Sequence, residues 1–236
     1  WNWYGTRSGR SRGDASILQA AIAQVCRVHP VDPAAVALVG LSAGASMAAL
    51  LATRDPAAFA AVVMHSGVPP GSADSTVSAI GAMRGRRRPP ALAAGGLPPL
   101  LVIHGDADRV VDPGNSRAAA GQWATAMRAG PGPVRVVRRG ARHPMKVTDY
   151  RADGRLAASL CEVVGLGHAW SGGDARLPFG DARGPDASRL AWTFVARRIA
   201  ERDRIGAAPV IGGPTGTASA CAPASATPGG AARRPG

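Results

Sequence analysis

The sequence has little of what staples small folds or binds metals. Its 236 residues include three cysteines, at positions 26, 161 and 221. They are too few and too scattered for a disulfide framework or a zinc module. No His, Cys, Asp or Glu cluster has metal-ligand spacing, so neither a metal nor a cofactor is expected. No uninterrupted apolar run approaches the roughly 18 residues of a membrane helix. Aromatic residues are only 4% of the chain, yet hydrophobic residues reach 46%. That is enough for a buried core and excludes a wholly disordered chain. Acidic residues are also in short supply, at 15 against 28 Lys and Arg, for a formal charge of +13. A charge of this size raises nucleic acid or another polyanion as a partner. No helix-turn-helix, zinc finger or RNP-like aromatic motif accompanies it. The basic residues are nearly all Arg in an Ala-, Gly- and Pro-rich chain, so solvated surface arginine is the better reading. Arg84, Arg86, Arg87, Arg88, Arg138 and Arg139 are the residues a polyanion would use.

The first residues, Trp1-Asn2-Trp3-Tyr4, contain neither a Met nor the basic and apolar regions of a signal peptide. Two Trp within three residues are costly to expose and read as the middle of a folded element. The expectation is a chain whose beginning lies upstream.

Apolar residues at helical spacing (Ile17, Leu18, Ala21, Ile22, Val25) predict a helix up to about His29, capped by Asp14 or Ser16 and stopped by Pro30 and Pro33. A short apolar run at 36–39 reads as a buried strand and leads at once into Gly40-Leu41-Ser42-Ala43-Gly44. An Ala-, Met- and Leu-rich helix follows over 45–53, then a strand over 60–65. Residues 66–97 form a long Gly-, Pro- and Arg-rich excursion, a candidate lid. Further strands are predicted at 100–104, 134–137, 145–150 and 159–164, with a helix at 116–129. Asp153-Gly154 is a turn signal, and a last helix is predicted over 189–202 behind a cap at Asp186 or Ser188. From 206 to 236 the composition falls to Gly, Ala, Pro, Ser and Thr, a tail expected to be disordered behind one domain at 1–205. Strands alternating with helices predict an α/β fold, a mostly parallel sheet covered on both faces.

Gly40-Leu41-Ser42-Ala43-Gly44 is a G-x-S-x-G string between an apolar strand and a helix, the setting of a nucleophile elbow. Its glycines are expected to keep Cβ atoms out of a tight approach, and the helix N-terminus behind Ser42 favours developing negative charge. A serine hydroxyl needs a His to take its proton and a carboxylate to orient that His. In this fold the chain order is Ser, acid, His. Asp108 follows one predicted strand end and His168 another, where an open α/β sheet gathers its site. Asp106 is the rival acid, read instead as tying down the loop backbone. His29 and His143 read as surface residues. His65 and His104 read as structural, with the pocket open to either. The Ala43 amide is the expected oxyanion donor. Trp170, two residues past His168, is either a wall of the substrate pocket or packing for the His loop. Cys26 and Cys161 read as buried free thiols.

With these residues in view the sequence resembles the PHB depolymerase family of esterases, α/β-hydrolases related to feruloyl and acetyl xylan esterases. The matching strings are Trp1-Asn2-Trp3-Tyr4, Gly40 to Ala48, Phe59 to Gly67, His104 to Asp108, Gly167 to Gly173 and Gly184 to Arg189. They run in family order over about residues 1–200. The resemblance implies an α/β-hydrolase fold and a Ser42–Asp108–His168 triad acting through an acyl-enzyme on polyhydroxyalkanoate-type, feruloyl, acetyl or small esters. It also implies secretion to an extracellular or periplasmic site. In the family the W-N-W segment follows several strands and an H-G-C-type loop that supplies part of the oxyanion hole, and these are not in the sequence. The resemblance therefore implies missing N-terminal strands and little turnover by this chain alone. The alternatives are a non-catalytic binding module of the same fold and a basic polyanion binder.

Overall fold

The computed structural model describes residues 13–206. The expectations for Trp1–Tyr4, Cys221 and the tail lie outside the described residues.

Helix α1 (Asp14–Val28) starts from Gly13 in extended backbone, with no side-chain cap. The expected caps, Asp14 and Ser16, are inside the helix. Asp14 in the first turn and Arg27 in the last complement the helix dipole instead. Strand β1 (Ala37–Leu41) runs into α2 (Ala43–Arg54), and β2 (Ala61–His65) leads to α3 (Thr76–Met83). Strand β3 (Leu100–Gly105) is followed by α4 (Gly114–Ala126) and two short strands, β4 (Gly130–Pro131) and β5 (Arg135–Val137). Strands β6 (Met145–Ala152) and β7 (Arg155–Val163) form a hairpin. A two-residue ribbon, β8 (Trp170–Ser171) with β9 (Gly180–Asp181), precedes α5 (Ala187–Gly206).

The main sheet runs β1-β2-β3-β7-β6-β4, with β5 also paired to β6. The pairs β1/β2, β2/β3 and β3/β7 are parallel. The flank beyond β7 is antiparallel because Asp153 (φ 48°) and Gly154 (φ 76°) form a tight turn that returns the chain beside itself. Positive φ at both central residues matches the twist of a two-residue hairpin, and Asp-Gly supplies it at low cost.

Strands β2 and β3 are buried along their whole length, as a parallel sheet covered on both faces requires. Alternate residues serve two cores. Val62, Met64, Leu100 and Val102 pack with Leu51 and Trp123 beneath the helices α1 to α4. Val63, Leu101, Ile103 and Val163 pack on the other face with Phe194 of α5. Full burial of a side chain of this size stabilises by roughly 1.5–3 kcal/mol. Trp123 is fully buried, and its indole N–H donates to the Pro98 carbonyl at 2.9 Å.

The excursion over 66–97 is not a loose lid. Val68, Ala73, Ala79 and Ala82 are buried in the first core. Gln122 of α4 donates to the Pro70 and Pro90 carbonyls, and Asn115 donates to that of Ala82. The segment's Gly and Pro content reflects backbone carbonyls satisfied by α4 side chains rather than by a ladder. Cys161 is buried and free, its thiol pushed up to about 12 by burial and then by the Asp149 charge. Cys26 is free and half-buried rather than buried, near the C-terminal end of the stripe of α1 that carries Leu18 and Ile22.

Candidate active site

Three parallel strands end at one edge of the sheet, and each is followed by a residue singled out in the sequence. Strand β1 ends at Leu41, just before Ser42. Ser42 takes φ 55°, ψ −120°, backbone that a non-glycine residue adopts only under constraint. The constraint is visible: the Ser42 amide donates to the His65 carbonyl at 2.8 Å, and α2 starts at the next residue. Gly40 is required here, because a Cβ on it would sit 2.3 Å from the Gly44 carbonyl carbon and oxygen. The steric role expected of both glycines does not extend to Gly44, whose Cβ would meet nothing within 4 Å among the described residues. The Ala43 amide opens α2 and is one of the first-turn donors left without an intrahelical acceptor. It lies at the positive end of the helix dipole.

Asp108 follows β3 and is buried. Its Oδ1 accepts the amides of Val110 and Val111, both at 2.9 Å. Its Oδ2 lies 2.7 Å from His168 Nδ1 and 3.3 Å from His104 Nε2. Burial alone would raise its pKa. The hydrogen bonds from His104, His168 and the two amides outweigh that and hold the carboxyl well below the usual carboxylate range. Asp106, the rival acid, instead accepts the Gly165 amide at 2.7 Å and pins the loop after β7. Gly105 leaves room for that loop, since a Cβ there would lie 2.0 Å from the Leu166 carbonyl oxygen.

His168 follows β7. With its Nδ1–H donated to the ionised Asp108, its Nε2 is bare and lies 3.1 Å from Ser42 Oγ. Ser42, Asp108 and His168 thus meet through two hydrogen bonds that span 126 and 60 residues of sequence.

Two further histidines belong to this cluster. His104 Nε2 lies 3.0 Å from the Val111 carbonyl as well as near Asp108. Both neighbours are acceptors, so Nε2 carries the proton. Nδ1 is buried without a hydrogen-bond partner among the described residues. His65 Nε2 accepts the Ser171 amide at 3.1 Å, and its Nδ1–H donates to Ser66 Oγ at the same distance. Its pKa is pushed down to about 3, first by burial and then by His104 and His168, with Asp108 acting the other way. The sequence reads both as structural, with the pocket open to either; that His104 reaches the acid comes from the structure. The spacing His104-x-x-x-Asp108 was the only signal. His104→Phe keeps volume and removes the donor to Asp108; kcat is expected to fall about tenfold with KM unchanged. His104→Gln, which keeps an N–H donor, is expected to retain most of the activity. Equal kcat in wild type and His104→Phe would remove His104 from the site.

Trp170 stacks on His65, with ring centroids 5.0 Å apart, and its indole N–H donates to Ser188 Oγ at 3.1 Å. These contacts fix the indole against His65 and the start of α5. Phe179, which sequence reading missed, meets the His168 ring edge-on at 6.0 Å. His143, expected at the surface, is half-buried, with Nε2 3.5 Å from Asp181, because its loop folds back on the residues after β9. His29 is exposed.

A mostly parallel sheet that presents an elbow serine on one edge, with an acid and a histidine following later strands, defines an α/β-hydrolase. The family described as Esterase PHB depolymerase matches residues 1–128, and the chain belongs to that family. The match covers Ser42 and Asp108, while His168 lies beyond it. Poly(3-hydroxyalkanoate) depolymerase C of Paucimonas lemoignei is 31% identical over 136 residues, 52% of this chain and 33% of the relative. The chain thus spans about a third of that relative's length. Among solved structures, an acetyl xylan esterase from Aspergillus awamori shares the fold. Its TM-score is 0.58 at 19% identity, covering 71% of this chain and 67% of that one.

Proposed function

We propose, against the little turnover that the resemblance implies for this chain alone, that it hydrolyses carboxylic esters through an acyl-enzyme on Ser42. The observation that carries this reading is the relay of two hydrogen bonds, His168 Nε2 at 3.1 Å from Ser42 Oγ and His168 Nδ1 at 2.7 Å from Asp108. Ser42 Oγ attacks the ester carbonyl while His168 Nε2 takes its proton. The Asp108 carboxylate faces the imidazolium that forms and holds the ring in the reactive tautomer. The Ala43 amide stabilises the oxyanion of the tetrahedral intermediate. His168 returns its proton to the departing alcohol, and the acyl group remains on Ser42. Water then enters, loses a proton to His168 and attacks the acyl carbonyl; the bond to Ser42 Oγ breaks as His168 returns that proton to it, and the acid leaves. Trp170, two residues past His168 and stacked on His65, is proposed as a wall of the substrate pocket. Candidate substrates are polyhydroxyalkanoate-type, feruloyl or acetyl esters and small esters, and the proposed location is outside the cytoplasm.

The test is covalent capture. A fluorophosphonate is expected to add one phosphonyl group to the intact chain, mapped by tandem mass spectrometry to the peptide carrying Ser42. Hydrolysis of p-nitrophenyl butyrate is expected to fall as labelling proceeds. No adduct at Ser42, or an adduct that leaves hydrolysis untouched, overturns the reading.

One observation favours a second reading, a polyanion site away from the triad. A cavity of about 630 Å³ between α5 and the β6/β7 hairpin is lined by Val147 and Phe194, by Arg139, Arg142, Arg189 and Arg197, and by the carboxylates of Asp149 and Asp186. Retention on a heparin column with a steep salt dependence would support it.

A further inference from the structure

Phe179 combines two features that sit badly together unless the ring is used. Its side chain is 62% exposed, so it adds little to the core. Its backbone has φ 61°, a left-handed conformation that a bulky aromatic residue adopts only at a cost. The surrounding loop enforces that conformation. The Phe179 carbonyl accepts the Trp170 amide at 2.6 Å. The neighbouring pairs Trp170–Gly180 and Ser171–Asp181 zip the ribbon β8/β9. Gly180 lies so close to Asp174 that a Cβ on it would be 2.1 Å from the Asp174 carbonyl oxygen. The result is a rigid loop that holds an apolar ring in solvent, edge-on to the imidazole of His168.

The chemistry of the His168 side of the site says what such a ring would touch. The oxyanion forms toward Ala43, at the start of α2. The departing alcohol oxygen must instead come within hydrogen-bond reach of His168 Nε2, because that atom returns the proton to it. The carbon skeleton of the alcohol therefore extends past the imidazole. Phe179 is the exposed apolar surface touching that imidazole.

Building on the esterase reading, we propose that Phe179 is a specificity-determining residue: its ring is the wall for the alcohol half of the ester and selects esters of bulky, apolar alcohols. Covering an aromatic or alkyl alcohol with this ring removes apolar surface from water in the Michaelis complex and in the transition state for acylation, and a two-carbon alcohol is too short to gain the same contact.

The experiment holds the acyl half constant and varies the alcohol. Rates on benzyl butyrate and ethyl butyrate are compared for the wild-type chain, Phe179→Ala, Phe179→Gly and Phe179→Trp. Phe179→Ala is expected to lower kcat/KM on benzyl butyrate about tenfold and on ethyl butyrate less than about twofold. Phe179→Trp is expected to keep the preference. Phe179→Gly is expected to lose it with an equal or higher Tm, since glycine takes positive φ freely. A readout without turnover accompanies the rates: benzyl alcohol binding, followed by the imidazole proton shifts of His168, is expected to weaken about tenfold in Phe179→Ala. An unchanged benzyl-to-ethyl ratio together with unchanged benzyl alcohol binding overturns the proposal. So does a lower Tm in Phe179→Gly with the preference intact, which would make Phe179 a packing residue. Ser42→Ala separates this result from the parent reading. If neither ester is hydrolysed in a Ser42-dependent way, the esterase reading fails, while the benzyl alcohol titration still decides whether the wall exists.

Discussion

Replacing Ser42 with Ala is expected to lower kcat for any ester this protein hydrolyses by on the order of 10⁶, and replacing His168 with Ala by a similar factor. The double variant should be no slower than either single one. Serine and base act as one unit, and what survives is the rate supplied by the oxyanion donor and by binding. Asp108→Asn is expected to cost roughly 10⁴ by a different route. The carboxylate accepts the amides of Val110 and Val111 on one oxygen and faces His168 and His104 with the other. An Asn side chain must turn its NH₂ toward one of these donor sets. If it faces the imidazoles, His168 takes the tautomer that points Nε2–H at Ser42, and no base remains. If it faces the amides, the loop after β3 loses its anchor. The Asn variant should therefore show a lower Tm as well as a lower kcat, whereas Ser42→Ala should unfold near the wild-type temperature. Steady-state hydrolysis of p-nitrophenyl butyrate and thermal melts followed by circular dichroism check the series. Retention of more than a tenth of wild-type kcat in Ser42→Ala would mean that another group makes the acyl-enzyme or that none forms.

Stability is expected to fall steeply on mild acidification, with His65 as the main cause. The side chain is fully buried. Its Nε2 faces the Ser171 amide, a donor, so a protonated ring would set two N–H groups against each other. The folded protein holds its pKa at about 3, against 6.5 for an unperturbed imidazole. Between those two values the unfolded chain binds the proton and the folded one does not, so stability rises with pH across that window. The contribution is fully present above pH 6.5 and is lost progressively as pH falls toward 3. A gap of that size corresponds to about 5 kcal/mol, a large part of the net stability of a typical domain. Asp108 adds a loss in the same direction below the usual carboxylate pKa, because its folded pKa is depressed. Urea titrations at pH 7.5 and pH 4 on the wild-type chain and on His65→Gln separate the two. The Gln amide can accept from Ser171 and donate to Ser66 without titrating. Its stability should change by several kcal/mol less between the two pH values. Parallel losses in both proteins would show that His65 is not the group that titrates.

The sequence by itself determined the pieces of this site and their order along the chain. An apolar run closing on Gly40-Leu41-Ser42-Ala43-Gly44 already specifies a strand, an elbow and a helix, because Gly40 must lack a Cβ for the chain to reverse so tightly. Asp108 and His168 could be read as following strand ends because the runs before them are short, apolar and bounded by Gly. The hairpin was legible in Asp153-Gly154, since few residues other than Gly and Asp or Asn take positive φ at low cost. Local patterns of this kind depend on backbone sterics and burial, which act over a few residues.

Only the tertiary structure decided which of these pieces touch. The parallel order β1-β2-β3-β7 brings the segments after β1, β3 and β7 to one edge of the sheet, although α2, α3, α4 and β6 lie between them in sequence. The partner of a buried imidazole is set by whichever group the fold delivers: the Ser171 amide, which donates to His65, and the Val111 carbonyl with the Asp108 carboxylate, which face His104. For His65, 106 residues from Ser171, nothing local encodes that choice. The positions of the Trp170 and Phe179 rings were set in the same way. One ring lies over His65 and the other stands exposed beside His168. Each ring's position follows from the short parallel ribbon β8/β9, a pairing of distant backbone too brief to leave a pattern in the sequence.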